Sequence, residues 1–319
     1  MDVVGVKGAG ATDSGATDSV RAGNRTVPIH RPAKVLFPAT GDDTGLTKAD
    51  LVEYYRSVAP YMLPELKGRP LMLERHPDGL DGPRFMQKNT PDGYPEWVRR
   101  AELAKKGGTV THPVCDNTAT LVFLADQACL TFHRWQSRAD RPDAPDRLVF
   151  DLDPAEDTFE PVRRAATQLG ELLGELRLPS ALLTTGSRGL HVIVPLDGRS
   201  GFDEVRAFAG DVARTLAARD PDHLTTEVRT GARGGRLYLD IQRNGYAQTA
   251  VAPFSVRARE GAPVATPISW DQLADPRVTA RRWTVRDVLD QARTRPWSQV
   301  PARGRSLTPA RKLLQSLKP

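Results

Sequence analysis

Apolar and polar positions along this chain alternate between two rhythms. The stretch from Ala49 to Val58 has helical spacing, and Thr47 stands ahead of it as an N-cap. From Phe159 to Leu176, the residues Val162, Ala165, Ala166, Leu169, Leu172 and Leu173 fall on one helix face. Val205, Phe208, Val212 and Leu216 mark a further helix. Short apolar runs between these read as strands. Leu148 to Leu152 follows a Pro-rich segment and is stopped by Pro154. Ala181 to Thr185 and His191 to Pro195 are joined by Gly186-Ser187-Arg188-Gly189, and Leu237 to Ile241 is a fourth strand. The pattern predicts a mixed α and β fold with several strand-to-loop junctions. No repeat with a period of about 20–50 residues is visible, which excludes a solenoid.

The ends read differently. Residues 1–25 are small, polar and Gly-rich, with the near-repeat Ala11-Thr12-Asp13-Ser14-Gly15 and Ala16-Thr17-Asp18-Ser19-Val20. Such a segment buries too little apolar surface to offset its ordering entropy, so a disordered tail is expected. Residues 296–319 are expected to form a basic tail: Arg303, Arg305, Arg311, Lys312 and Lys318 stand there, and from 301 onward there is no acid. A length of 319 residues allows a sizeable core. No run approaches the roughly 18 apolar residues of a membrane span, and no apolar leader opens the chain, so a cytoplasmic protein is expected. Two cysteines, Cys115 and Cys129, are too few for a disulfide framework or a four-cysteine zinc site. Arg and Lys total 45 against 39 Asp and Glu, a net charge of +6 that leans mildly toward a polyanionic partner.

The chemistry concentrates around Asp151-Leu152-Asp153. Positions i and i+2 of a strand share a face, so these two carboxylates repel unless a cation neutralises them. A divalent ion with oxygen ligands, Mg²⁺ or Mn²⁺, is the simplest cation for that place. Asp240 ends another apolar run and supplies the third acid of a two-metal site. Ser187-Arg188-Gly189-Leu190-His191 offers backbone N–H groups, a hydroxyl and a cation suited to a triphosphate. Arg229, Arg233 and Arg236 precede Asp240; Arg243, Asn244, Gln248, Arg257 and Arg259 follow it. Cations around an acidic trio suit phosphates better than a neutral substrate. His191 and, more weakly, His133 lie nearest these motifs. Nearer the N-terminus, Lys34, Lys48, Arg75, Phe85 and Lys88 form a basic and aromatic set fit for phosphate and for base stacking. Each feature also has a duller reading: solvated strand-end acids, glycines serving a tight turn, an arginine-rich surface loop, Phe85 in a core.

Taken together the motifs resemble the polymerase domain of bacterial ligase D, within the archaeo-eukaryotic primase superfamily that serves non-homologous end joining. The likeness runs from about Lys34 to Leu289. It rests on Lys34-Val35-Leu36-Phe37-Pro38, Gly68-Arg69-Pro70-Leu71, Pro77-Asp78-Gly79 with Gln87-Lys88, and Phe150-Asp151-Leu152-Asp153-Pro154. It continues through Gly186 to His191, Asp240 to Asn244 and Thr249 to Arg257. The resemblance implies an α+β primase-polymerase core, a mixed or antiparallel sheet flanked by helices, spanning residues 26–295. Residues 26–140 would meet the DNA end and template, and 141–295 would form the catalytic core. It further implies metal ligation by Asp151, Asp153 and Asp240 and nucleotide contacts from Ser187, Arg188, His191 and Arg257, with Gln248 and Arg243 beside them. Lys34 and Lys48 would grip a DNA 5′-phosphate, and Phe85, Arg75 and Lys88 would meet the template. His133, Arg236 and Asn244 complete the candidates.

The implied activity is gap filling and nucleotide addition at break ends, with ribonucleotides and Mn²⁺ preferred, by two-metal nucleotidyl transfer. Implied partners are DNA ends, nucleoside triphosphates, Ku and a separate ligase, since no Lys-x-Asp-Gly adenylation motif is present; a monomer is the default. Two departures stand out: Phe85-Met86 where relatives often carry two aromatics, and Arg31 where they often carry Asn. Two alternatives stay open. One is a catalytically silent DNA-end binder of the same fold. The other is a haloacid-dehalogenase-type phosphatase, whose nucleophile strand Phe150-Asp151-Leu152-Asp153 resembles but whose following Gly-Thr is here Pro154-Ala155.

Overall fold

A computed structural model describes residues 17–41, 44–301 and 303–317. The near-repeat around Ala11 and the terminal Lys318 lie outside the described residues. The expected N-terminal tail is corrected from residue 17 onward. Thr17–Ala22 (β1) and Arg25–His30 (β2) pair as an antiparallel hairpin. Its polar composition conceals a two-residue alternation in which Ala22, Val27 and Ile29 turn inward and join the main core.

Val35–Phe37 (β3) and Leu46–Thr47 (β4) form a small ladder that leads into the helix Lys48–Leu66 (α1). Thr47 and Asp50 make a reciprocal capping box at its start. Leu71–Arg75 (β5), Phe85–Gln87 (β6), the hairpin Arg100–Lys105 (β7) and Gly108–Pro113 (β8), the helix Thr118–Asp126 (α2) and Cys129–Trp135 (β9) follow. Then come Arg147–Asp153 (β10), Glu160–Glu175 (α3), Ala181–Thr184 (β11), Leu190–Pro195 (β12), Phe202–Arg219 (α4), Leu224–Thr225 (β13) and Leu237–Asp240 (β14). Thr249–Val251 (β15), Thr266–Ile268 (β16), Trp270–Leu273 (α5), Val288–Arg293 (α6) and Leu307–Ser316 (α7) complete the order.

Two sheets organise the molecule. The six-stranded sheet runs β13-β14-β10-β12-β11-β16, antiparallel throughout except for the β13–β14 pair. The four-stranded sheet runs β15-β9-β5-β6, all antiparallel. Alternation along β10 sends Leu148, Phe150 and Leu152 into the large core beneath α3 and α4. Its other face carries Val149, which joins Ala181, Leu183, Ile193 and Val251 of β15 in a second, smaller apolar cluster. That cluster is where the two sheets meet. Helix α1 braces the same seam: Tyr55 Oη donates to Leu130 O and accepts from Val256 N, and Tyr54 Oη donates to Phe254 O.

The C-terminal expectation is corrected as well. Leu307, Ala310 and Leu314 fall at helical spacing and are buried, while Lys312 faces solvent, so this segment docks as α7. It lies against α4, where Arg311 donates to Glu204 O at 2.9 Å. Among the described residues no helix is long and apolar enough to cross a membrane.

Candidate active site

Three neighbouring strands bring the acids together. Register sets Asp151 opposite Asp240 on β14 and opposite His191 on β12. Opposed residues share a sheet face with Cβ atoms about 4.5–5.5 Å apart, so Asp240, Asp151 and His191 form one row. Asp153, two residues on, shares that face. Gly189 lets the row approach closely, because a Cβ there would lie 2.3 Å from Leu152 O.

The charges of this row are unevenly matched. His191 Nε2 lies 3.4 Å from Asp151 Oδ1, and Arg243 Nε donates to Oδ2 at 3.2 Å. Burial alone would push the Asp151 carboxyl up; His191 and Arg243 outweigh it and hold it below the usual range. Asp153 is raised, first by burial and then by the Asp151 charge. Asp240 is raised chiefly by burial, with Asp151 adding to it, although Gln242 N donates to its Oδ1 at 2.7 Å. Burial and the nearby Asp151 charge thus disfavour the ionised forms of Asp153 and Asp240, a penalty that a bound cation would offset.

An all-carboxylate donor set of this kind suits a hard divalent cation. Among the described residues no three His, Cys, Asp or Glu side chains already stand at ligand spacing. Arg243, with a side chain 42% exposed, is the competitor for Asp151. The shared strand face means that side-chain rotation, with no change of strand register, would gather the carboxylates. The residues present fit the ion.

Opposite the acids a cleft of about 110 Å³ opens, lined by Asp151, Asp153, Thr185, Ser187, His191, Arg243 and Arg257, and across the seam by His133 and Thr249 to Val251. The loop between β11 and β12 is held from within. Thr185 Oγ1 accepts from Ser187 N at 3.3 Å and Gly189 N at 3.2 Å, and Gly186 takes a φ of 62°. Arg257 Nη1 donates to Thr185 O at 2.6 Å, and burial lowers the pKa of its guanidinium. His133, on β9, faces the cleft with Glu74 behind it at 3.8 Å. Burial pushes this histidine down despite Glu74.

The sequence-derived candidates divide accordingly. Asp151, Asp153, Ser187, His191, Arg243, Arg257 and His133 share the cleft, and Asp240 sits on the adjoining strand. Arg188 is exposed at the rim and lines a neighbouring cavity with Phe159 and Arg281. Gln248 is exposed on the loop before β15 and does not line the cleft. Two tentative candidates are held within the fold. Asn244 is buried and spent on backbone: Oδ1 accepts from Val149 N at 2.8 Å, while Nδ2 donates to Val149 O at 2.7 Å and Ile241 O at 2.9 Å. Arg236 braces its own loop, its Nε donating to Arg233 O at 2.7 Å.

The N-terminal candidates sit apart. Lys34 and Lys48 flank the β3–β4 ladder, and Lys48 N donates to Lys34 O at 2.8 Å. Lys34 pairs with Asp78 at 2.9 Å and Lys48 with Asp126 at 3.5 Å. Burial lowers the Lys48 ammonium, and the charges of Lys34 and Arg31 lower it further, against Asp126. Phe85 and Lys88 are exposed. Arg75 is committed within the fold, donating to Gln127 O and Gln87 Oε1. Sequence reasoning missed Thr185, Thr249, Glu74 and Arg281. Thr185 lies beside one quoted motif and Thr249 opens another, but nothing local marks the other pair.

The architecture, an antiparallel sheet bearing acids against a second sheet with helices outside, is an α+β fold of the primase-polymerase class. A solved structure described as the polymerase domain from Mycobacterium tuberculosis ligase D in complex with DNA matches it with a TM-score of 0.77 and 34% identity, over 82% of this chain and 93% of that one. The chain belongs to the family of the LigD primase-polymerase domain, whose model matches residues 47–297. It is 35% identical over 268 residues to the multifunctional non-homologous end joining protein LigD of Mycolicibacterium smegmatis, covering 83% of this chain and 34% of that protein. The namesake from Pseudomonas aeruginosa is 33% identical over 300 residues, 92% of this chain and 34% of the relative. The bifunctional LigD of Bacillus subtilis is 32% identical over 248 residues, 77% of this chain and 39% of the relative. The chain thus spans between about a third and two fifths of the length of these relatives. Family membership removes the phosphatase alternative.

Proposed function

We propose that this protein is a nucleotidyltransferase that extends DNA ends and fills short gaps in non-homologous end joining. The observation that carries the reading is the row Asp240–Asp151–His191 with Asp153 beside it, facing Ser187 and Arg257 across one cleft. Asp151, Asp153 and Asp240 would hold two divalent ions, Mn²⁺ or Mg²⁺, which when bound stabilise the negative charge developing on the attacking and leaving oxygens. Arg257 and the Ser187 hydroxyl grip the triphosphate, with Arg188 reaching in from the rim. Withdrawal of Arg243 from Asp151 toward those phosphates would free the carboxylate and add a cation where the leaving group forms. His191, packed against Asp151, is placed to donate to a phosphate oxygen or a sugar hydroxyl.

Lys34 and Lys48 would hold the 5′-phosphate across a gap, a contact that positions the DNA without reading its bases. Phe85, exposed on β6, offers a face for stacking. Ribonucleotide preference, action as a monomer, recruitment by Ku and sealing by a separate ligase belong to this proposal.

The test is extension of a labelled primer opposite a short gap, with and without a downstream 5′-phosphate, ribo- or deoxyribonucleoside triphosphates, and Mn²⁺ or Mg²⁺. Phosphate-stimulated, ribonucleotide-favouring addition that Asp153→Ala abolishes while end binding survives is the expected result. Addition that persists in Asp153→Ala refutes the metal assignment. Binding without addition under any metal would assign the chain to a silent end-binding module.

A further inference from the structure

The Ser187–Arg188 loop has one support that comes from far along the chain. Arg281 lies in the segment between α5 and α6, 94 residues from Ser187, and its Nε donates to Ser187 O at 2.6 Å. Its Nη2 lies 3.7 Å from Asp157 Oδ2, in the turn that follows Asp153. One guanidinium therefore spans the loops that leave β10 and β11. The remaining bonds of the loop, from Thr185 and Arg257, secure the amides of Ser187 and Gly189 and the carbonyls of Thr185 and Gly189. Arg281 alone is recorded holding the Ser187 carbonyl among the described residues. The orientation of that carbonyl fixes the Ser187–Arg188 peptide plane, and with it the direction of the Arg188 N–H. The segment carrying Arg281 is itself anchored. Trp283 is buried, and Val264 N donates to Trp283 O at 2.9 Å on the strip that begins at Arg257.

We propose that Arg281 is a positioning residue for nucleotide binding: by clamping the Ser187 carbonyl against Asp157 it presets the Ser187–Arg188 peptide for a nucleoside triphosphate. This rests on the reading of the cleft as the nucleotide site. Preorganised donors give up less freedom on binding, so the clamp acts on affinity for the nucleotide, leaving turnover once the site is filled unchanged.

The test compares Arg281→Gln with Arg277→Gln. The latter removes an equal charge from the same segment, where exposed Arg277 pairs with half-buried Asp275. Arg281→Gln is expected to raise the KM for the nucleoside triphosphate about tenfold with kcat and DNA-end affinity near wild type. It is also expected to speed amide hydrogen exchange across residues 186–190. Arg281→Lys, which can still donate to Ser187 O, should recover part of the KM loss, and Arg277→Gln should change nothing. A wild-type KM and exchange pattern in Arg281→Gln overturns the inference alone. So does a fall in kcat, end affinity and melting temperature together, which would mark a general structural role. A wild-type protein that binds no nucleoside triphosphate overturns the reading of the cleft and the inference with it.

Discussion

Replacing Asn244 by alanine tests whether this side chain belongs to the scaffold or to the ligand. The site lies just past Asp240, where β14 has ended. The β10–β14 ladder pairs only Asp151 to Asp153, so Val149 has no strand partner on that side. Asn244 supplies the missing ladder with an amide, pairing with both N–H and C=O of Val149 and tethering Ile241 O. The residue is 1% exposed, so water is poorly placed to substitute. Two buried backbone groups left unpaired cost about 1–3 kcal/mol each, and partial relaxation brings the expected loss to about 3 kcal/mol. For a domain of this size that is a fall in Tm of roughly 5 °C. Asn244→Asp keeps the acceptor but turns a carboxylate oxygen toward two carbonyls, so it should lose at least as much. Urea denaturation monitored by far-UV circular dichroism measures the change, with the m-value expected to stay constant. A loss under about 1 kcal/mol, or an intact fold with a raised nucleotide KM, would return Asn244 to the ligand set.

Gly189→Ala should be damaging for a steric reason, since its Cβ would stand 2.3 Å from Leu152 O and 3.1 Å from Asp153 Oδ1. A cost of about 1–3 kcal/mol with strongly reduced extension is expected, and a wild-type melting curve with full activity would contradict the packing. Lys34→Ala and Lys48→Ala should each weaken binding to a 5′-phosphorylated end by about tenfold at moderate salt and leave an unphosphorylated end unaffected. Equal losses on both ends in fluorescence anisotropy would remove the phosphate assignment. Glu74 gives a pH prediction. Burial would raise its carboxyl, but His133, Thr131 and Arg257 outweigh this and hold it at about 2 against an ordinary 4.5. A depressed folded-state pKa stabilises above the unfolded value and is lost as pH falls toward the folded one. The urea midpoint of the wild type should therefore drop between roughly pH 4.5 and about 2, and Glu74→Gln should flatten that stretch. Parallel profiles would show that the ionised carboxyl contributes nothing.

What could be read from the sequence was what is local. Thr47 before an apolar helical pattern, Val162 to Leu173 on one face, and the apolar run closed by Pro154 all became the elements that their spacing predicts. Strand alternation likewise put Asp151 and Asp153 on one side. The hairpin at Thr17 was hidden because only three of its side chains are fully buried, and averaged composition drowned that signal. The C-terminal helix was hidden by its basic residues, which lie outside a narrow apolar stripe of Leu307, Ala310 and Leu314.

Contacts between distant segments were illegible for a different reason. Asn244 and Arg257 look alike in sequence: both are polar residues following Asp240 in an arginine-rich stretch. Only the end point of β14 decides that one completes a strand edge while the other, on a strip joined to β11 through Thr185, faces the cleft. Glu74 and Arg281 carry no local mark at all. The first acts through His133, 59 positions on in the neighbouring strand of the same sheet, and the second through Ser187, and each pairing exists only once the chain has folded. The cleft is thus a property of the seam. Each sheet supplies a wall that is unremarkable alone, and the crowding of carboxylates that would suit a cation arises where the β14 register sets Asp240 beside Asp151. A substitution at the seam that moved β15 away from Val149 should therefore open the nucleotide wall while leaving the acidic row intact, because the row is held by its own sheet.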